Sequence, residues 1–264
     1  MRNLLVPACL GLLVAALSSA ARAETAAAEA CLAANRSLSL GVSLPRTAAH
    51  LKEGQSLKIV AVGSSSTTGL WMLSADATYP EVMGREITEL RPATRVKVIN
   101  SGRVGDTVPG MISRFGSDVL AHHPDLVIWQ LGTNSVLRDH VISGNGDLLT
   151  GELTLLKLTG ADVVLINPQY APKVLAHPEV AAMVELMSAT AKASSVELFD
   201  RFAIMKHWRE TRGMPFQAFL NPDLLHMNDW GYDCVAQLLA DAITDAATRA
   251  PLTAGMPIPV GTRR

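Results

Sequence analysis

The fold is decided by residues 57–69, which read LKIVAVGSSSTTG. A short apolar run, Lys58–Val62, passes there into a turn of glycines and hydroxyl side chains. From Leu57 onward such β-branched runs alternate with amphipathic stretches whose apolar residues recur every three or four positions. This alternation is typical of a parallel sheet with helices on both faces, so the sequence predicts a three-layer α/β/α sandwich.

The pattern predicts five strands, each short and nearly all apolar, as buried parallel strands are. They are placed at Lys58–Val62, Val96–Asn100, Leu126–Leu131, Val163–Ile166 and Val196–Phe199. Six helices are predicted at Tyr79–Leu90, Val108–Ala121, Asp147–Leu158, Glu179–Ala193, Asp200–Arg212 and Asn228–Ala247. An alanine-rich piece, Thr25–Ala34, is also expected to be helical, whereas the Ser/Leu/Pro stretch that follows it shows no clear period.

The first 23 residues resemble a secretory signal peptide. Arg2 precedes the apolar run Leu4–Leu17, and Ala21-Arg22-Ala23 forms a small-residue cleavage pattern. The apolar run is shorter than the roughly 20 residues of a membrane-spanning helix, so a stable membrane anchor is not expected. We therefore predict export to the periplasm or the medium.

The rest of the chain is predicted to form one domain. Residues 24–56 are assigned to an N-terminal extension, and residues 57–250 to the α/β domain, a length that one core can serve. Residues 251–264 contain three prolines and no apolar face, which predicts a disordered C-terminal tail. The oligomeric state is not indicated.

The charge balance excludes one class of partner, and the cysteine content bears on a possible disulfide. The chain has 23 basic and 24 acidic residues and a formal net charge of -1, so it has no field with which to hold a polyanion, and no nucleic acid partner is expected. Removal of the signal leaves Cys31 and Cys234. An oxidising compartment permits a disulfide between them, and two buried thiols are the alternative.

Candidate site residues lie where the predicted strands end. In an open parallel sheet, ligands bind beyond the carboxyl ends of the strands. That edge carries three loops, Gly63–Gly69, Ser101–Thr107 and Gly132–Ser135. A fourth polar cluster, Asp223–Asn228, precedes the last predicted helix. We expect the four segments to meet at one edge of the sheet.

These segments contain the groups that nucleophilic catalysis requires. A serine hydroxyl needs a base to take its proton and an acid to orient that base. Asp223 and His226 are three residues apart, which puts both side chains on one side of a turn. Gly105 can present a backbone N–H, and Asn134 an amide N–H, to a developing oxyanion.

The four segments, in this order, resemble the SGNH or GDSL-type serine hydrolase superfamily over about Leu57–Ala247. The matching pieces are Gly63-Ser64-Ser65, Asn100–Thr107, Gly132-Thr133-Asn134 and Asp223–His226. The resemblance implies a flavodoxin-like SGNH hydrolase fold and an esterase that needs no cofactor. It also implies a catalytic triad of Ser65, His226 and Asp223, and an oxyanion hole formed by the backbone N–H groups of Ser65 and Gly105 with the side chain of Asn134.

The sequence departs from the family pattern at several positions. Ser64 replaces the aspartate that normally precedes the nucleophile, which leaves three consecutive serines, with Ser66 at a position that is usually apolar. Met227 replaces a frequent proline, and Ser135 a frequent aspartate. Ser65 remains the predicted nucleophile.

Other interpretations stay open beside this one. Serine-rich turns often cap helices, Asp223 could cap the last helix, and His226 could pack against Trp230. Trp71 could line a substrate surface or lie in the core. The histidines are isolated or diverge, as in His122-His123, so no metal is predicted.

The predicted function is an exported serine esterase for short-chain acyl esters of small molecules or carbohydrates, with O-acetylated carbohydrate as one candidate substrate. One alternative is an O-acyltransferase that forms the same acyl-enzyme and passes the acyl group to a sugar hydroxyl. The other is a non-catalytic module in which the serine-rich loop binds phosphate or a carbohydrate.

Overall fold

The computed structural model describes residue 31, residues 40–41, residues 43–139 and residues 144–249. The predicted signal peptide, nearly all of the predicted helix Thr25–Ala34 and the predicted C-terminal tail lie outside the described residues.

A five-stranded parallel sheet forms the centre of the molecule. Its strands are β1 (Ser56–Gly63), β2 (Arg95–Gly102), β3 (Leu126–Gln130), β4 (Asp162–Ile166) and β5 (Glu197–Phe199), in the order β2-β1-β3-β4-β5. Every residue of β3 and β4 is buried, as are the last five of β1. Burial on both faces explains why these strands are nearly all apolar, and the predicted fold class is confirmed.

Helices cover both faces of the sheet. The α-helices are α1 (Pro45–Glu53), α2 (Ser65–Thr68), α3 (Tyr79–Leu90), α4 (Val108–Ser113), α5 (Phe115–Asp118), α6 (Asn145–Leu158), α7 (Pro172–Leu175), α8 (Val180–Ser194), α9 (Arg201–Lys206) and α10 (Asp229–Arg249). Helix α10 packs against α1 and α3, while α6 packs against α4 and α8. Short 3₁₀ helices lie at Ala75–Ala77, Leu120–His122 and Phe216–Ala218, and π-helical turns at Ser135–Asp139 and His207–Thr211.

The strand order places a crevice at the end of β1. From β1 the chain crosses to β2 on one side, and the later strands β3, β4 and β5 are added on the other side. Connections therefore leave β1 and β3 in opposite directions, which is the topological switch point where open parallel sheets bind ligands. The loop at this crevice is Gly63–Gly69, the serine-rich turn of the fold-deciding stretch.

One predicted helix is wrong in its continuity. Val108–Ala121 is divided into α4, α5 and a 3₁₀ turn, and the break falls at Arg114, whose backbone leaves the helical region with φ -115° and ψ 6°. The Arg114 side chain is buried there in a polar network, and this tertiary demand overrides the helical pattern. The predicted helix Asp200–Arg212 is continuous: Asp200 caps it, and α9 runs directly into the π-helical turn.

Helix α1 is absent from the sequence prediction, although it packs on the sheet. It lies in the segment assigned to an N-terminal extension, and Pro45 occupies its first turn, where a missing N–H has no cost. The backbone N–H of Thr47 donates to Asp162 Oδ2 at 2.7 Å, and Arg46 Nε donates to Asp125 Oδ1 at 2.9 Å. Asp162 is the first residue of β4 and Asp125 directly precedes β3, so α1 is fixed to the amino-terminal edge of the sheet.

Cys31 and Cys234 form a disulfide, which settles the question that the sequence leaves open. The bond joins residues 203 positions apart and ties the start of the described chain to helix α10. A cross-link of this span removes much conformational freedom from the unfolded chain, and disulfides typically contribute about 2–4 kcal/mol.

We expect the double variant Cys31→Ala/Cys234→Ala to lose about 2–4 kcal/mol of unfolding free energy, measured by urea denaturation of the oxidised proteins. Reductant should lower the stability of the wild type to a similar degree and leave the double variant unchanged. Equal stabilities of oxidised wild type and variant would contradict the stabilising role of this bond.

Candidate active site

The loop after β1 is shaped by close contacts that only glycine permits at its start. A Cβ at Gly63 would lie 2.1 Å from Thr67 Oγ1 and 2.9 Å from the carbonyl oxygen of Gln130. Ser65 is the first residue of α2, so its backbone N–H has no partner within that helix. Gly69 ends the helix with a φ of 73°. The tight turn therefore presents Ser65 at the mouth of the crevice, where it is 9% exposed.

The structure brings Ser65, His226 and Asp223 into one hydrogen-bonded chain. His226 Nε2 lies 2.8 Å from Ser65 Oγ, although the two residues are 161 positions apart. His226 Nδ1 lies 2.5 Å from Asp223 Oδ2. Because the carboxylate can only accept, Nδ1 carries the proton, and Nε2 is left to accept the hydrogen of the Ser65 hydroxyl.

The turn that carries the acid and the histidine is held by Asp223 itself. Asp223 Oδ1 accepts hydrogen bonds from the backbone N–H groups of Leu225 and His226, both at 3.0 Å. Leu224, which directly follows Asp223, has a φ of 56°, which is uncommon for a large side chain. Helix α10 begins later and is capped by Asn228, whose Oδ1 accepts from Gly231 N at 3.0 Å. Asp223 is therefore not the helix cap.

Asp223 is held in its ionised form. Partial burial favours the neutral acid, but hydrogen bonds from the His226 ring and from the backbone N–H groups of His226 and Leu225 outweigh it, so the pKa of Asp223 lies below its ordinary value. The carboxylate is thus charged at neutral pH, and it can stabilise a protonated imidazole.

The second and third loops lie against the first. Arg103 N donates to the carbonyl oxygen of Gly63 at 2.9 Å, and Asn134 Nδ2 donates to the carbonyl oxygen of Asp106 at 3.0 Å. Gly105 has a φ of 79°, and the guanidinium of Arg138 lies against it, 3.3 Å from its carbonyl oxygen. The loops that carry Gly105 and Asn134 are therefore joined to each other next to the Ser65 loop.

Gln130, the last residue of β3, fixes the serine loop by hydrogen bonds. It is not among the site residues that the sequence predicts. Its buried Oε1 accepts from Ser64 N at 3.0 Å, Ser64 Oγ at 3.0 Å and Thr67 Oγ1 at 3.2 Å. Ser64 stands where the family pattern has an aspartate, and here its hydroxyl binds a strand residue. A glutamine within the otherwise apolar run Leu126–Leu131 is the signal that could have identified it.

Arg114 joins the loops after β1 and β2 and was also not predicted. Its side chain is buried, pairs with Asp106 and Asp118 at 2.7 Å each, and donates to the carbonyl oxygens of Ser101 and Gly63. The pKa of Asp118 is lowered, chiefly by its hydrogen bond to Arg114. No short sequence motif marks this arginine, because its partners lie in different loops.

Arg201 forms a second buried cationic support, on the other side of the site. Burial lowers its pKa to about 10, so it remains charged at neutral pH. Its Nη2 donates to Gln169 Oε1 at 2.9 Å, and the same oxygen accepts from Thr133 Oγ1 at 2.7 Å. Gln169 Nε2 donates to the carbonyl oxygen of Leu225 at 3.2 Å. Gln169 therefore connects the third loop with the turn that carries His226.

Trp71 stands at the rim of the site and not in the core. Its side chain is exposed, with 60% of the residue surface accessible, and its Nε1 donates to Asp223 Oδ2 at 3.1 Å. Its φ of 80° is a rare conformation for a bulky residue, and such outliers cost about 1–3 kcal/mol and persist only where the surroundings enforce them.

Neither a metal site nor a membrane-spanning segment is found within the described ranges. No group of three or more His, Cys, Asp or Glu side chains could hold an ion there. No helix in this part of the chain is long and apolar enough to cross a membrane.

Comparison with known proteins identifies the family. Residues 30–249 match the non-GDSL lipase-like family. The chain belongs to this family. The predicted relationship to the SGNH/GDSL-type superfamily is thereby confirmed. The family's description also agrees with the serine triplet, in which Gly63-Ser64-Ser65 replaces the Gly-Asp-Ser pattern.

The non-GDSL lipase-like chain is similar to several esterases. An arylesterase of Vibrio mimicus is 30% identical over 118 residues, which make up 44% of this chain and 56% of the relative. A two-domain esterase active on acetylated mannans superposes with a TM-score of 0.70 at 19% identity, covering 83% of this chain and 58% of the other. A mutant of an acetyl-xylooligosaccharide esterase from Geobacillus gives 0.62 at 19% identity, covering 71% and 94%. The chain thus spans little more than half the length of the first two relatives.

We expect Arg114→Met to lose about 3–5 kcal/mol of unfolding free energy, because the change leaves Asp106 buried without its ion pair. Arg103→Met is the matched control, since Arg103 also contacts Asp118 but is mostly exposed, and its loss should stay below about 1 kcal/mol. Denaturant unfolding measures both. Equal effects of the two changes would show that burial of Arg114 does not stabilise the loops.

Proposed function

We propose that this protein is a serine esterase that hydrolyses short acyl esters, with Ser65, His226 and Asp223 as its catalytic triad. The observation that carries the proposal is the continuous hydrogen-bonded chain from Ser65 Oγ through His226 to Asp223, at 2.8 Å and 2.5 Å. These distances match those of a nucleophile and its base, and of a base and its orienting acid. A phosphate- or carbohydrate-binding loop would have no use for this arrangement.

The reaction begins when Ser65 Oγ attacks the ester carbonyl carbon and His226 Nε2 takes the hydroxyl proton. The tetrahedral intermediate then collapses, the alcohol leaves with the proton from His226, and the acyl group remains on Ser65. Water attacks this acyl-enzyme with His226 again as the base, which releases the acid and restores the serine. Asp223 keeps its negative charge throughout and stabilises the imidazolium of both steps.

The oxyanion is proposed to be bound by the backbone N–H groups of Ser65 and Gly105 and by the side chain of Asn134. In support, the amide of Asn134 is fixed by its hydrogen bond to Asp106 and still has a second hydrogen to donate. Fixed donors of this kind typically contribute about 3 kcal/mol each to the transition state.

An aromatic cleft at the end of helix α7 is proposed to bind the sugar part of a carbohydrate ester; its lining residues lie outside the triad. The cleft has a volume of about 470 Å³ and is lined by Tyr170, Leu175, Arg209, Glu210 and Phe216. The partly exposed rings of Tyr170 and Phe216 stack with centroids 6.2 Å apart. The Tyr170 hydroxyl donates to Glu210, and the Arg209 guanidinium lies over the Phe216 ring, 5.2 Å from its centroid. Apolar rings with a few polar groups are typical of sites for small organic ligands.

Helix α7, which contributes Leu175 to the cleft, is hydrogen-bonded to the turn that carries Asp223 and His226. Lys173 N of helix α7, which ends at Leu175, donates to the carbonyl oxygen of Leu224 at 3.3 Å. Two of the structurally similar proteins are named as esterases for acetylated mannans and acetylated xylooligosaccharides. We therefore propose O-acetyl groups on carbohydrate as the substrate class.

Export to an oxidising compartment is proposed from the N-terminal sequence pattern of residues 1–23. The disulfide between Cys31 and Cys234 supports it, because such bonds persist mainly outside the cytosol.

We expect a fluorophosphonate probe to label the wild-type protein and the variants Ser64→Ala and Ser66→Ala, but not Ser65→Ala. The reason is that Ser65 Oγ contacts His226, whereas Ser64 Oγ is bound to Gln130. Mass spectrometry of the adduct measures the labelling, and circular dichroism checks that each variant folds. An unlabelled, folded wild-type protein would exclude the esterase.

We expect acetylated xylo- or manno-oligosaccharide to release acetate, even with excess unacetylated oligosaccharide present. Ser65 is 9% exposed at the mouth of the crevice, so water has access to the acyl group that it carries and competes as acyl acceptor. Mass spectrometry with an isotope-labelled acceptor measures the products. Accumulation of acetylated acceptor in place of acetate would establish an O-acyltransferase.

A further inference from the structure

Trp71 links the nucleophile loop to the acid of the proposed triad. It lies two residues after Gly69, which ends the short helix begun by Ser65, and its indole reaches Asp223 in a turn 152 positions away. The contacts therefore close a ring, from Ser65 to His226, to Asp223, to Trp71 and back along the chain to Ser65. A closed ring of this kind fixes the relative positions of its members more firmly than an open chain of contacts.

The indole completes the hydrogen bonding of the Asp223 carboxylate. Oδ1 accepts two backbone N–H groups, and Oδ2 accepts the Nδ1 hydrogen of His226. Trp71 Nε1 is the fourth donor and binds the same oxygen as the imidazole. Since a carboxylate has about four acceptor positions, Asp223 is fully bonded and cannot rotate without losing a partner.

The strained backbone conformation of Trp71 indicates that its contact with Asp223 is more than incidental. A tryptophan with a φ of 80° is unfavourable, and glycine would occupy that conformation with much less strain. The side chain is also largely exposed, so burial of the ring does not explain the conformation. The contact that the conformation does provide is the hydrogen bond to Asp223.

We propose that Trp71 is a positioning residue that acts through Asp223 on the proposed catalytic base. This inference rests on the esterase function proposed above. The indole N–H holds Oδ2 in line with His226 Nδ1, so that the imidazole keeps Nε2 directed at Ser65. The groups that interact electrostatically with the carboxylate are His226 and, from helix α10, the buried Tyr232.

The test replaces Trp71 site-specifically with benzothienylalanine, which keeps the bicyclic ring and has sulfur in place of the N–H. Trp71→Phe is the genetically encoded companion. We expect kcat for a short aryl ester to fall about tenfold in both variants, because one charge-assisted hydrogen bond to the acid is lost. KM should change less than twofold in the benzothienylalanine variant, because the ring that could contact substrate is retained.

The pH profile separates positioning from a merely structural role. With one donor fewer, the Asp223 carboxylate becomes more basic and holds the protonated His226 more tightly. The acidic limb of the kcat/KM profile should therefore move to higher pH, by roughly half a unit. A loss of folded protein would lower the amplitude of the profile without moving it.

Leu73→Ala is the matched control, since Leu73 lies on the same loop, is 97% exposed and is also a large apolar residue. We expect it to retain wild-type kcat and an unshifted profile. A benzothienylalanine variant with unchanged kcat and pH profile would overturn the positioning role while leaving the esterase proposal intact. An inactive wild type that no probe labels would instead remove the esterase proposal itself.

Discussion

The parallel alignment of five strands is the constraint on which the rest of the structure depends. Because β1, β2, β3 and β4 end at one edge, segments that are remote in sequence meet there, and Ser65 and His226 come within 2.8 Å across 161 positions. The same alignment has a cost. Loops that leave fully buried strands carry backbone N–H and carbonyl groups into a region with little water, and those groups need partners within the protein.

Buried polar side chains supply these partners, and each one joins at least two segments. Gln130 binds the serine loop to β3, Arg114 binds that loop to the one after β2, and Gln169 binds the third loop to the turn of His226. A buried arginine is favourable only when its donors are satisfied. Arg114 meets this condition with two carboxylates and two carbonyl oxygens, so its charge fixes the positions of the loops. Arg201 donates to one carbonyl and one amide oxygen, and its lowered pKa shows that burial still disfavours its charge.

The sequence alone predicts the sheet and the site segments well, because both follow from local signals. Apolar runs mark the strands, and the four polar segments follow from the edge rule and the family pattern. The division of the predicted helix Val108–Ala121 at Arg114 does not follow, since it is decided by contacts with Gly63 and Ser101. Trp71 shows the same limit: its indole partner is 152 positions away, and nothing local distinguishes a core tryptophan from one at the rim.

Backbone strain in this structure is concentrated around Asp223. Trp71 contacts the carboxylate and Leu224 follows it, and these are the two large apolar residues with positive φ in the described part of the chain. The Asp223 carboxylate connects the two strained residues. One of its oxygens accepts the hydrogen bond from the Trp71 indole, and the other accepts the backbone N–H of Leu225, which follows Leu224 in the turn. Strain persists only where the surroundings over-determine it. Two unfavourable conformations therefore lie on either side of the proposed triad's acid, and relaxing the one at Trp71 would remove one of the four hydrogen bonds that hold Asp223.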